Sequence, residues 1–172
     1  MNKCSREGVV FLGFALVRVD DRLIHGQVMA VWAKGLSAER IVIVDDGVAQ
    51  DPFLQKVMRL AAPPHIKVEI WGMLNAPKVL REGDHEKTIL LLKRPEVALE
   101  LRKKGVLFEQ LNVGGIGAGP GRKPIYRNIS ASPTEIQVFA ELTAMGVEVV
   151  FRIVPDDHGI TFSELAPKLR TN

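Results

Sequence analysis

Cysteine is almost missing from this chain: Cys4 is the only one in 172 residues. That excludes a disulfide framework and a thiolate metal cluster, and it fits a reducing cytoplasm. The four histidines do not pair at ligand spacing, which argues against a structural zinc site. Aromatic residues make up only 6% and the net charge is +3, so there is neither a stacking platform nor the dense basic face that nucleic acid requires. The basic groups Lys93-Arg94, Arg102-Lys103-Lys104 and Arg122-Lys123 read as solvated faces, with a partner protein carrying an acidic rim as the other reading. Long hydrophobic runs are absent too. The longest, 9–17, follows Lys3 and Arg6 as a secretory signal would, yet it runs into an acidic turn without a small-residue cleavage site. It is too short to span a bilayer, and a buried first strand is the expectation.

What is present is ordinary for a globular protein: 47% hydrophobic and 25% charged residues, which excludes disorder and collagen-like repeats. The length fits one domain around one core, expected over 9–172 after an extension at 1–8. Apolar runs bounded by turn residues predict strands at 14–19, 40–44, 67–71, 87–92, 109–113 and 147–154, with a short edge strand at 124–129. Helices alternate with them. Asp51-Pro52 is an N-cap followed by proline at the first helical position, and the helix it opens is expected to turn Phe53, Leu54, Val57, Met58 and Leu60 inward. Asp45-Asp46-Gly47 reads as an acidic turn, a helix is expected over 95–104, and Ser132-Pro133-Thr134-Glu135 is a capping box. The resulting fold class is α/β: an open, mostly parallel sheet of about six or seven strands with helices on both faces. Ligand chemistry in such folds sits at the carboxyl ends of the strands, where 20–25, Asp45-Asp46 and the glycine-rich stretch 114–121 would share one edge.

The stretch that organises the chain is Arg18-Val19-Asp20-Asp21-Arg22-Leu23-Ile24-His25-Gly26-Gln27-Val28. A strand ends at two acidic residues, and His25-Gly26 opens a helix. His25 is thereby placed beside unpaired backbone N–H groups and the positive end of a helix dipole, where an anion is favoured. Arg22 can aim a planar fork of donors at the same point. Histidine, arginine and free amides around Gly26 and Gln27 together suit a phosphoryl group: the imidazole can attack phosphorus near neutral pH, and the donors hold its oxygens. Asp20 and Asp21 would repel phosphate oxygens, so one is expected to orient Arg22 or His25 and the other to tie down the loop; turn formation and capping is their plainer reading. The glycine-rich stretch fits no nucleotide motif. The third fingerprint glycine falls on Pro120 or Arg122, and no Lys-Ser/Thr pair follows Gly121, which leaves a flexible loop.

At this motif the chain resembles the IIB subunits of mannose/fructose/sorbose-type sugar phosphotransferase systems. The similarity runs from about Val10 to the carboxyl end, through Ile43-Val44-Asp45-Asp46, Asn112-Val113-Gly114-Gly115 and Val154-Pro155-Asp156-Asp157. The resemblance implies the same open sheet with its last strand or two antiparallel. It implies phosphorylation of His25 on Nδ1 with Arg22 holding the phosphate. It also implies a phosphohistidine donor on a IIA domain, a sugar acceptor presented by membrane IIC and IID subunits, and a cytoplasmic location peripheral to that transporter. No cofactor or metal is expected, and a homo-oligomer is left open. The glycine-rich version of the segment after Asn112-Val113-Gly114-Gly115 departs from the family. Two rivals stand beside this reading. A magnesium-dependent receiver phosphorylated on aspartate lacks an acceptor, because the third strand ends at Trp71-Gly72. The other is a regulatory or binding module of the same fold in which His25 is structural.

Overall fold

The computed structural model describes residues 13–169. The expected extension at 1–8, residues 9–12 of the apolar run and the side chains of Gln27 and Val28 lie outside what is described. The chain opens with β1 (Leu16–Asp20), α1 (Gly26–Gly35), β2 (Arg40–Val44), α2 (Asp46–Gln50) and α3 (Pro52–Ala61). It continues through β3 (Lys67–Trp71), α4 (Ala76–Arg81), β4 (Thr88–Leu92), α5 (Pro95–Lys103) and β5 (Gln110–Gly115). After β6 (Lys123–Tyr126) and β7 (Ile129–Ala131) come α6 (Pro133–Ala144), β8 (Glu148–Phe151), β9 (Ile160–Thr161) and α7 (Phe162–Leu169).

Seven strands form one sheet in the order β3-β2-β4-β1-β5-β8-β9. The first six are parallel, as the alternation of strands and helices predicts, and β9 runs antiparallel to β8, as the family resemblance implies, although no strand is expected at 160–161 from the sequence pattern. β2 and β4 read as continuous apolar runs because helices cover both of their faces. On one face Phe139 of α6 packs edge-on to Phe151, 5.3 Å between ring centres, and Phe162 of α7 joins them. On the other, Met29, Trp32 and Ala33 of α1 lie over Ile41, Ile43 and Leu91. Side chains alternate across a strand, so Val17 and Val19 enter the first core while Leu16 enters the second. Arg18 and Asp20 share the face of Leu16.

Four expectations are corrected. The acidic turn after β2 is a helix: Asp45 caps α2, accepting the Val48 N–H at 2.9 Å. The edge strand expected at 124–129 is a hairpin, β6 with β7, in a separate two-stranded sheet. Arg127 stands in its turn at φ +48°, so the run reverses rather than extends. The strand expected through Val154 ends at Phe151, since Pro155 lies in a turn closed by the Asp157 N–H on the Val154 carbonyl. Finally, α3 buries none of its residues, and Phe53 and Leu60 stand 71% and 75% exposed. The helix is strongly amphipathic, but it hangs beside the edge strand β3 with little sheet beneath it; only Met58 packs on the core.

Candidate functional site

β1 is followed by a helix on one side of the sheet and β5 by a connection toward the other, so the strand order reverses between them. This is the crevice where open α/β sheets bind ligands. The turn 20–23 sits at its mouth, closed by the Leu23 N–H on the Asp20 carbonyl at 3.0 Å. The Arg22 N–H bonds Asp20 Oδ1 at 3.3 Å, an aspartate turn on its own backbone. Leu23 is buried at φ +57°, a strained conformation for a branched residue, and it aims its carbonyl back at the next element.

That element is α1, with His25 as its N-cap residue in extended conformation. His25 Nδ1 lies 3.0 Å from the Leu23 carbonyl and 3.7 Å from Asp20 Oδ1. A carbonyl only accepts, so Nδ1 carries the proton in this tautomer. Nε2 is buried with no hydrogen-bond partner among the described residues, and the side chain as a whole is 20% exposed. No side chain caps α1, unlike α2, α3 and α6, which are capped by Asp45, Asp51 and Ser132, and no acidic residue stands in the first turn of α1. The N–H groups of Gly26, itself at φ +46°, and of Gln27 therefore remain at an uncapped positive pole. Arg22 places its side chain 64% in solvent, with Nε 3.8 Å from Asp20 Oδ1.

The two aspartates are held differently. Asp20 is fully buried: Oδ2 receives Arg18 Nη2 at 2.9 Å and Oδ1 faces Arg22 and His25. Asp21 turns to the glycine-rich segment, where its N–H bonds the Gly115 carbonyl at 2.8 Å and its Oδ2 receives the Gly117 N–H at 2.8 Å. The first half of that segment is thus a close-packed wall of the crevice, not the free loop its composition suggests. A methyl on Gly115 would stand 2.8 Å from the Asp20 carboxyl carbon, and one on Gly114 would stand 1.8 Å from the Arg18 guanidinium carbon. Past the wall, Arg122 grips Glu135 at 2.6 Å and reaches the Gly117 carbonyl at 3.3 Å. Burial alone would raise the Glu135 carboxyl, but Arg122 and the Ser132 amide outweigh it and hold it below its ordinary range.

Sequence reading passed over the residue beneath all of this. Arg18 is completely buried in the middle of the sheet, beside Asp20, Asn112 at 2.5 Å and the Arg152 carbonyl at 3.1 Å, with Trp32 of α1 5.5 Å away. Burial pulls its guanidinium below the ordinary arginine value, opposed by Asp20. Two signals were available: a charge inside an otherwise apolar strand, and its place at the head of the His25 motif. Other motifs at the same edge do not reach His25. Asp45 and Asp46 serve the cap of α2 and the Met73 N–H, and Asp157 pairs with Arg127 at 2.7 Å. Among the described residues no group of His, Cys, Asp and Glu could hold a metal ion, and no helix is long and apolar enough to cross a membrane.

Residues 14–172 match the family model of the PTS system sorbose subfamily IIB component. The chain is 37% identical over 147 residues to the sorbose-specific EIIB component of Klebsiella pneumoniae, covering 84% of this chain and 90% of that one. It is 30% identical over 161 residues to the mannose-specific EIIAB component of Escherichia coli K12, covering 92% of this chain and half of that longer protein. In structure it is similar to the IIBSor domain of the Klebsiella pneumoniae sorbose permease, with a TM-score of 0.83 at 34% identity over 93% of this chain and 98% of that one. It is also similar to manxB from Thermoanaerobacter tengcongensis, with a TM-score of 0.82 at 36% identity over 89% and 94%. A histidine-led helix at the switch point of a six-strand parallel sheet, and sequence similarity along nearly its whole described length, lead to one conclusion: the chain belongs to the sorbose-subfamily IIB components of the sugar phosphotransferase system.

Proposed function

We propose that His25 is the phosphoryl carrier of this IIB component, taking the group from a phosphohistidine on a IIA domain and passing it to a sugar at membrane IIC and IID subunits. One observation carries the reading: His25 leads a helix with an uncapped amino terminus, 3.7 Å from a buried carboxylate that leaves Arg22 in solvent. An incoming phosphoryl group meets free amides and a solvent-facing guanidinium beside the His25 ring, whose Nδ1 becomes available once it leaves the Leu23 carbonyl. The fused IIA and IIB units named in the Escherichia coli mannose relative support a IIA donor.

Transfer to Nδ1 needs three changes from the resting geometry. The ring gives up the Leu23 carbonyl, the proton on Nδ1 moves so that it resides on Nε2, and the ring turns its freed lone pair outward. The Nδ1–P bond then forms as the donor's N–P bond breaks, and that electron pair returns to the donor imidazole. In the second half-reaction a sugar oxygen forms the O–P bond, the Nδ1–P bond breaks, and the hydroxyl proton leaves to a base. Arg22 and the amides of Gly26 and Gln27 hold the equatorial oxygens in both steps. Asp20 orients His25 and Arg22, while Asp21 anchors the turn to the glycine wall.

The test is incubation with phosphoenolpyruvate, the general phosphotransferase proteins and a mannose-family IIA protein, followed by mapping of the modified residue. One acid-labile, alkali-stable phosphate on His25, absent from His25→Ala, is the expected result. A phosphate elsewhere, or none in the presence of an active IIA donor, overturns it. Arg22→Ala lowers the transfer rate on the order of 10²-fold while leaving the unfolding midpoint in place, because its side chain is mostly in solvent.

A further inference from the structure

We propose that Arg18 is a positioning residue for phosphoryl transfer: from beneath the crevice it occupies one oxygen of Asp20, so that Asp20 steers Arg22 and the His25 ring through Oδ1 alone and does not draw them into the crevice. The inference rests on His25 being the phosphoryl acceptor.

Asp20 is a carboxylate with no access to water, and its charge has two guanidinium neighbours. Arg18, equally buried, lies 2.9 Å from Oδ2; Arg22, exposed, stands 3.8 Å from Oδ1. The buried partner is held at both terminal nitrogens, while its Nε has no hydrogen-bond partner among the described residues. Nη1 is held by Asn112 of β5 and the carbonyl of Arg152 past β8, Trp32 of α1 covers the group, and Gly114 of β5 leaves the space that the head group fills. With Oδ2 held by Arg18, Asp20 offers only Oδ1 to the site, and there Arg22 Nε at 3.8 Å and His25 Nδ1 at 3.7 Å are steered from beyond hydrogen-bond distance. Arg22 can therefore sit in solvent at the mouth, ready for an anion. Remove the Arg18 fork, and the most accessible substitutes for Asp20 are Arg22 and the Nδ1–H of His25. Both would be drawn inward, away from the phosphoryl path, and the Nδ1 proton would be held where the N–P bond has to form.

The same network links α1 to the far side of the sheet. The indole N–H of Trp32 donates to the Ile153 carbonyl at 3.1 Å, one residue past the carbonyl that holds Arg18. The helix whose amino terminus carries His25 is thus referenced to the same buried charge that sets Asp20. A lysine at 18 keeps the charge but not the planar fork that reaches Asp20 and Asn112 together.

The experiment measures single-turnover phosphorylation by the phosphorylated mannose-family IIA protein in wild type, Arg18→Lys, Asp20→Asn and the double variant, with intact-protein mass and residue mapping on each. Arg18→Lys is expected to keep phosphate on His25 but to lower the transfer rate on the order of 10²-fold at saturating donor, the scale of a reacting group misplaced by about 1 Å. Because Arg18 acts through Asp20, the double variant should be no more than about threefold slower than the slower single variant, whereas independent effects would multiply. A transfer rate within twofold of wild type in Arg18→Lys, or multiplied losses in the double variant, overturns the inference. A second readout needs no variant: in wild-type protein labelled with ¹⁵N-arginine, the Arg18 guanidinium resonances are expected to shift when His25 is phosphorylated, and unmoved resonances overturn the proposal even if Arg18→Lys fails to fold. Phosphate on a residue other than His25 would instead overturn the reading on which this inference rests.

Discussion

Gly114→Ala is the sharpest test of the packing beneath the site. The added methyl would fall 1.8 Å from both Cζ and Nη1 of Arg18 and 2.0 Å from Nη2, where ordinary contact begins near ~3.5 Å. The head group has to retreat by well over an ångström, and it has nowhere to go, being fully buried among Asn112, Asp20 and Trp32. Overpacking costs ~1–3 kcal/mol. Each charged hydrogen bond broken adds ~1.5–3 kcal/mol. Since some bonds re-form after the shift, the expected loss is ~3–5 kcal/mol, the range for breaking a buried ion pair. For a chain of this size that lowers the melting midpoint by roughly 10 °C. Gly115→Ala, 2.8 Å from the Asp20 carboxyl, is expected to lose less, ~1–3 kcal/mol. Gly35→Ala, at the end of α1 with nothing within 4 Å, is expected to gain up to ~1 kcal/mol. Urea unfolding and thermal melts monitored by circular dichroism rank the three. Gly114→Ala melting within a degree or two of wild type would refute the close packing of Arg18 on β5.

Phe139→Ala, in the core, is expected to cost ~3–5 kcal/mol in urea unfolding, while Phe53→Ala on α3 stays within ~0.5 kcal/mol of wild type. Because the folded Glu135 carboxyl lies below its unfolded value, its contribution is present above pH ~4.5 and is lost as the pH falls through the folded value. Glu135→Gln should therefore lower stability at pH 7 and flatten the decline of the urea midpoint between about pH 5 and 3. Asp51→Ala removes an N-cap that accepts two N–H groups, at 2.8 and 3.1 Å, and is expected to cost ~1 kcal/mol by the same measurement.

Much of the fold was legible because its causes are local. Apolar runs with strand-length spacing, Asp51-Pro52 and the capping box at 132–135 dictate elements without reference to the rest of the chain. His25 at a strand-to-helix junction is legible for the same reason. The direction in which an amphipathic helix faces is not local: α3 carries a clear apolar stripe, yet it lies at the sheet edge and turns that stripe outward. The hairpin at 123–131 also escaped, because a turn at Arg127-Asn128 has no glycine to announce it.

By itself the sequence determined the alternation of the main strands and helices, the parallel sheet and the residue that leads α1, since periodicity, caps and turn chemistry act over a few positions. Only the tertiary structure decided which aspartate serves the site and which ties the wall, that Gly114 and Gly115 are there to make room, and that Arg18 lies beneath them. Those facts depend on β1 meeting β5 across 94 residues of chain, from Arg18 to Asn112. No local pattern encodes a contact that exists only once the sheet has closed.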